Sequence, residues 1–249
     1  MDLVEKGSST AKNEFRNEDD IVNKFNNWVN DKDAQTWLVM MNYKISEIEY
    51  VEAVKLSGYK TDVQVQVTVK LKSALDVQNL QVKLVSNLRG FNQIDKRWVD
   101  KYAEMWDIPD NIVYILKRYT GEELPSIKQP KDKRRMFANE FANEEQDMII
   151  NWLKGNQSLI VSDILKGRGH FAAEWMLVAQ KKDKEARWVL KSMNYCMNYF
   201  GNGNIEITAR GNFRIGRITM QRKGGDAGRN TANMLQFKIN PASLFDINP

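Results

Sequence analysis

Cysteine and histidine are almost missing from this chain of 249 residues, which holds one of each, Cys196 and His170. A lone cysteine excludes an internal disulfide and suits a reducing, cytoplasmic setting. Cys196 sits in an aromatic and Met-rich stretch, where burial is the expectation. A zinc site, which draws its ligands mainly from Cys and His, is nearly excluded, and a Ser-His-Asp triad would rest on His170 alone. That histidine lies between Gly169 and Phe171, a setting that reads as a loop. No apolar run approaches the roughly 20 residues of a membrane-spanning helix. The opening residues show no signal-peptide pattern, so no membrane partner is expected. Neither sign of charge dominates: 37 Lys and Arg against 32 Asp and Glu leave a net charge of +5. Basic residues must therefore cluster if they are to hold nucleic acid. No internal repeat is visible.

What is present begins with a hydrophobic content of 42%, that of a globular protein, at a length able to bury an ample core. Val63, Val65, Val67, Val69 and Leu71 alternate with Asp62, Gln64, Gln66, Thr68 and Lys70, a period of two that predicts a half-buried strand. A second strand is expected in LQVKLVS. There Leu80, Val82 and Leu84 share one face and Gln81 and Lys83 the other, because successive side chains alternate. If the two strands pair, Asp62, Gln81 and Lys83 meet on one polar face.

An acid, an amide oxygen and an ammonium suit phosphodiester hydrolysis. Mg²⁺ is a hard ion that takes oxygen ligands, and Asp62 and the Gln81 carbonyl can supply them. Lys83 can orient the attacking water or stabilise the transition state. The spacing alone equally fits Gln81 and Lys83 on the solvated face of an antiparallel strand. The arrangement resembles the PD-(D/E)XK nuclease core, with Thr61-Asp62 for Pro-Asp and Gln81-Val82-Lys83 for (D/E)-X-K. Gln81 replaces the usual carboxylate and leaves the site one charge poorer, which bears on whether it holds a second metal.

The segments NEDDIVNKFNNW, RGFNQIDKRW, GRGHFAAEW and QRKGGDAGRNTANMLQFKINPASLF widen the likeness to nearly the whole chain. Together they closely resemble the type II restriction endonucleases that cut GCGC after its first G, relatives of the MspI-like enzymes. The resemblance implies an α/β fold, a mixed central sheet flanked by helices, with a β-rich C-terminal extension. It implies a single endonuclease domain over 1–249, with a catalytic core at about 15–120 and a DNA-recognition part at about 121–249. It also implies Mg²⁺ as cofactor, duplex DNA as substrate and a cognate methyltransferase as functional partner. A repair or junction nuclease on the same core is the rival enzyme; a DNA-binding module inactivated through Gln81 is the rival without catalysis. A palindromic target invites a homodimer, and a monomer cutting each strand in turn is also physically adequate.

Asn17 to Asn30 reads as a helix with Ile21, Phe25, Trp28 and Val29 on its apolar face and Asn17 as N-cap. Glu18 is either an auxiliary acid near the metal or an acid complementing the helix dipole. Upstream, KGSSTAKNEFR enters a DNA groove or forms a leader. Helices are expected at 33–43, Arg97–Trp106, Asn111–Tyr119, Asn143–Leu153, Leu159–Lys166 and Arg187–Phe200. Strands are expected at Tyr50–Leu56, FAAEWMLVAQ, Ile205–Arg210, Phe213–Lys223 and Met234–Ile239. Leu124 to Arg135, with its KDKRR run, reads as a solvated loop that could also meet phosphate.

Two segments suit DNA recognition. In the first, Asn92 and Gln93 have amides for bidentate base contacts, Arg89, Lys96 and Arg97 offer phosphate or guanine contacts, and Phe91 is a core residue or a wedge between base steps. In the second, Gln221, Arg222 and Lys223 precede two glycines that permit close backbone approach. Arg and Lys are preferred readers of guanine; a basic hairpin turn is the plain alternative.

Overall fold

The computed structural model describes residues 16–56, 64–182 and 185–246. In chain order the first elements are α1 (16–26), α2 (Lys32–Met40), β1 (Ile48–Lys55), β2 (Val65–Leu71), β3 (Leu75–Val85), β4 (Asn92–Arg97), α3 (Val99–Trp106) and α4 (Asp110–Thr120). There follow α5 (Asn143–Leu165), β5 (Trp175–Lys182), β6 (Glu185–Ser192), α6 (Met193–Gly201), β7 (Ile205–Ile207), β8 (Phe213–Ile215), β9 (Ile218–Arg222) and β10 (Leu235–Ile239). The chain divides into two compact units. The first comprises Met1–Asn92, Leu165–Cys196 and Asn240–Pro249, and the second Gln93–Ile164 and Met197–Ile239.

The first unit is built on a mixed sheet of order β1-β2-β3-β5-β6. The predicted period of two is realised: Val65, Val67 and Val69 are all fully buried. Strand β2 pairs antiparallel with β3, setting Val65 opposite Leu80 and Lys70 opposite Leu75. On its other side β3 runs parallel to β5. Met176, Leu177, Val178 and Ala179 are all buried, as expected of a central strand covered on both faces. One face carries the core that joins Val65, Val67, Leu80, Val82 and Leu177 to Ile21 and Phe25 of α1 and Trp37 and Leu38 of α2. The α2 N-terminus is capped by Asp31, whose side chain accepts from Ala34 N at 2.9 Å.

The second unit carries another five-stranded sheet, of order β4-β10-β9-β8-β7. Gly216 turns the chain between β8 and β9 at φ +55, where a Cβ would stand 2.6 Å from Asn202 O. Tyr102 stacks on Trp106 with centroids 4.6 Å apart, and both rings meet Phe237 edge-on. The buried Asp95 of β4 accepts from the Tyr102 hydroxyl and pairs with Arg97 at 3.0 Å.

Several local expectations change. Helix α1 stops at residue 26, and Val29 is 63% exposed rather than on the apolar face. Asn17 lies inside the helix, buried, instead of capping it. The two helices expected between 143 and 166 are one, α5, because the polar segment at Gly155 does not interrupt the hydrogen-bond ladder. Gly155 faces open space, and its cost of about 1 kcal/mol relative to alanine is too small to break a long packed helix. The helix expected over Arg187–Phe200 starts only at Met193. Its first half is strand β6, drawn into a hairpin with β5 from Trp175↔Ser192 to Lys182↔Glu185. Inside RGFNQIDKRW lies strand β4, an element that the sequence reading did not assign.

Candidate active site

Alternation along β3 sends Leu80 and Val82 into the helix-side core and Gln81 and Lys83 to the opposite face. That face is not solvated at Gln81. Its side chain is 0% exposed, beside the buried Met176 that β5 sets opposite it, while Lys83 is half-buried opposite Val178. Gln81 Nε2 and Oε1 are both buried, and among the described residues neither has a hydrogen-bond partner. An orphaned buried polar group costs about 1–3 kcal/mol, so this amide is held against its own desolvation. An unsatisfied oxygen of this kind fits a hard cation, which takes oxygen donors.

The backbone around Gln81 is closely held. Gln64 N donates to Leu80 O at 3.1 Å, and the Gln64 side-chain Oε1 accepts from Val82 N at 2.7 Å. Further along, Asn92 Nδ2 donates to Leu84 O at 2.9 Å. Asp62, with Thr61, lies outside the described residues, as does the segment before residue 16. Glu18 is 8% exposed on α1. Among the described residues no three His, Cys, Asp or Glu side chains group as metal ligands. His170 is exposed in a short 3-10 turn and offers its backbone carbonyl to Asn79 Nδ2 at 3.0 Å. Cys196 is buried, and burial pushes its thiol up to about 12, which keeps it inert.

The residues expected to meet DNA fall in both units. In the first, Arg89 is exposed and Phe91 is 50% exposed, so Phe91 is no core residue. Asn92 spends its amide nitrogen on Leu84 O and keeps its carbonyl. In the second, Gln93 is half-buried and Lys96 exposed on β4. Gln221 and Arg222 are half-buried on β9. Lys223 is tied to Asp226, which also accepts from Thr231. Those two hydrogen bonds hold the Asp226 carboxyl down to about 2.

Arg222 is not a freely swinging cation. Its Nε and Nη2 both donate to Asn233 Oδ1, at 3.2 and 2.7 Å, and Asn233 Nδ2 in turn donates to Gly121 O at 2.8 Å. Gly121 ends α4 at φ +90, and a Cβ there would stand 2.6 Å from Arg134 O and 3.3 Å from Asn233 Oδ1. The KDKRR turn thus packs beside the anchor of Arg222. Burial, then the positive charges of Arg134 and Arg135, lower the Arg222 pKa. Asp132 holds Arg134 by two bonds of 2.9 and 3.0 Å, and Arg135 lies over the Phe137 ring at 3.9 Å. Neither Asn233 nor the placement of Arg134 and Arg135 was drawn from the sequence; the one available signal was the charge run.

The family model of the R.HinP1I restriction endonuclease matches residues 41–245. No curated protein matches the chain. Among solved structures, restriction endonuclease MspI in complex with its cognate DNA is similar over 96% of this chain and 93% of its own, with a TM-score of 0.65 at 14% identity. At that identity the likeness speaks for the restriction-endonuclease-like fold, while the family match spans the strands, the Gln81-Val82-Lys83 run and both basic segments. The chain therefore belongs to the R.HinP1I restriction endonuclease family and is a type II site-specific deoxyribonuclease.

Proposed function

We propose that the chain cuts duplex DNA at GCGC after the first G of each strand, with Mg²⁺ as cofactor and 5′-phosphates as products. Asp62, Gln81 and Lys83 are the catalytic set of this reading. The observation that carries it is the fully buried Gln81 amide, without a hydrogen-bond partner among the described residues, on the same strand face as Lys83. Asp62 and Gln81 Oε1 would hold the cation, with Glu18 the auxiliary acid. When bound, such an ion neutralises phosphoryl oxygens and lowers the pKa of a coordinated water. The Lys83 ammonium donates hydrogen bonds to the attacking water or to the phosphoryl oxygen as negative charge develops there. Water attacks phosphorus and the P–O3′ bond breaks. The 3′ oxygen leaves with a proton, and the phosphate stays on the 5′ end.

For recognition, Arg222 is the guanine reader, presented by Asn233 in a fixed orientation that suits bidentate contact with O6 and N7. Gln221, Lys223, Asn92 and Gln93 offer further base contacts, Arg89 and Lys96 face phosphate, and the exposed Phe91 ring is a wedge between base steps. A host carrying this enzyme needs a methyltransferase that protects the same sequence. The test is digestion of a sequenced plasmid with Mg²⁺ and mapping of the ends. Discrete fragments ending at GCGC are expected; fragments ending elsewhere would replace the target, and shifted but intact DNA would replace the enzyme with a binder.

A further inference from the structure

We infer that Gln64 is a positioning residue for Gln81, aiming its side chain by fixing both peptide planes that flank it. This rests on the proposed role of Gln81 and deepens it. The peptide before Gln81 carries Leu80 O, which accepts from Gln64 N at 3.1 Å; the peptide after it carries Val82 N, which donates to Gln64 Oε1 at 2.7 Å. One residue thus anchors the two groups whose orientation sets φ and ψ of Gln81, and through them the direction of its Cα–Cβ bond.

The anchor is itself fixed. Gln64 O accepts from Leu56 N at 3.1 Å, so the residue is fastened to the end of β1 as well as to β3. The described β2–β3 ladder starts at Val65↔Leu80, and one strand repeat further on the Val82 N–H is met by a side chain. A side-chain acceptor is a replaceable part here, whereas a backbone carbonyl would not be. Its function is expected to be orientation. Among the described residues the buried Gln81 amide has no hydrogen-bond partner of its own, which leaves its direction to its backbone and its packing.

The test compares Gln64→Leu, similar in size but without an acceptor, with Gln64→Glu, which keeps one. In the metal-free protein, amide hydrogen exchange is expected to be faster at Val82 in Gln64→Leu than in wild type, and near wild type in Gln64→Glu. In single-turnover cleavage of a duplex that the wild type cuts, Gln64→Leu should lose about 10–100-fold in rate or in the Mg²⁺ concentration dependence. Its affinity for the same duplex in Ca²⁺ should stay within a few-fold. Gln64→Glu should recover most of the loss. Wild-type rates and metal dependence in Gln64→Leu would overturn the assignment. So would parallel losses of melting temperature, binding and cleavage, or equal defects in both variants. Gln81→Ala is run alongside: if it cleaves like wild type, the proposed site has failed, whereas a dead Gln81→Ala with an unaffected Gln64→Leu refutes only the positioning role.

Discussion

Replacing Gln81 by methionine should make the metal-free protein more stable while abolishing its cleavage. The change keeps length and volume close to those of glutamine and removes two buried atoms that have no hydrogen-bond partner among the described residues. Volume-conserving exchange in a packed core usually costs under about 1.5 kcal/mol. Each orphaned polar group costs about 1–3 kcal/mol, so the amide as a whole is expected to outweigh the repacking and leave a net gain of about 1–2 kcal/mol. For a chain of this size that gain is about 2–8 °C in melting temperature. The assay is thermal or urea unfolding in EDTA. In saturating Mg²⁺ the order should narrow or reverse, because a ligand that binds the folded protein adds RT ln(1 + [L]/Kd), and the variant, left with Asp62 alone of the two proposed ligands, binds it more weakly. A Gln81→Met protein less stable than wild type in EDTA would mean that the amide makes a favourable interaction there, and the argument from its orphaned state would fall.

Asn233→Ala removes the only acceptor that holds Arg222 Nε and Nη2 among the described bonds, so discrimination against altered G·C pairs should fall by about 1–3 kcal/mol while random-duplex binding changes little; competition binding with matched and single-substituted duplexes measures this. Gly121→Ala should destabilise the second unit, since it needs φ +90 and would press a Cβ against Arg134 O, and a lowered unfolding midpoint is the readout. The Asp226 carboxyl is held at about 2 in the folded chain, below its ordinary 3.8, so its contribution to stability is complete above that ordinary value and is lost as pH falls through about 2. Asp226→Asn should flatten that acid limb in urea unfolding series from pH 5 to 2.

The strands of the first sheet were legible where burial is one-sided. In β2 the valines alternate strictly, and the structure buries each of them. Gln81 and Lys83 were placed on a shared face for the same reason. That this face is buried could not be read, because it depends on β5, a strand far along the chain whose parallel pairing no local pattern announces. Strand β6 was missed in favour of a helix because RWVLK has no clean period; the hairpin with β5 decides it. Phe91 could not be assigned to core or surface from its neighbours, and its exposure is set by the fold. The anchor of Arg222 escaped altogether. Asn233 and Gly121 are far apart in sequence, and an asparagine that accepts from an arginine carries no motif.

Single-turnover cleavage set against binding in Lys83→Ala and Asp62→Ala decides whether these two side chains carry the chemistry. Neither residue is asked to read a base, so both proteins should bind a duplex carrying the target within a few-fold of wild type in Ca²⁺. Cleavage in Mg²⁺ should fall by orders of magnitude. Lys83→Ala or Asp62→Ala cutting the same duplex at the wild-type rate would contradict the account, and the catalytic set would have to be sought away from β3.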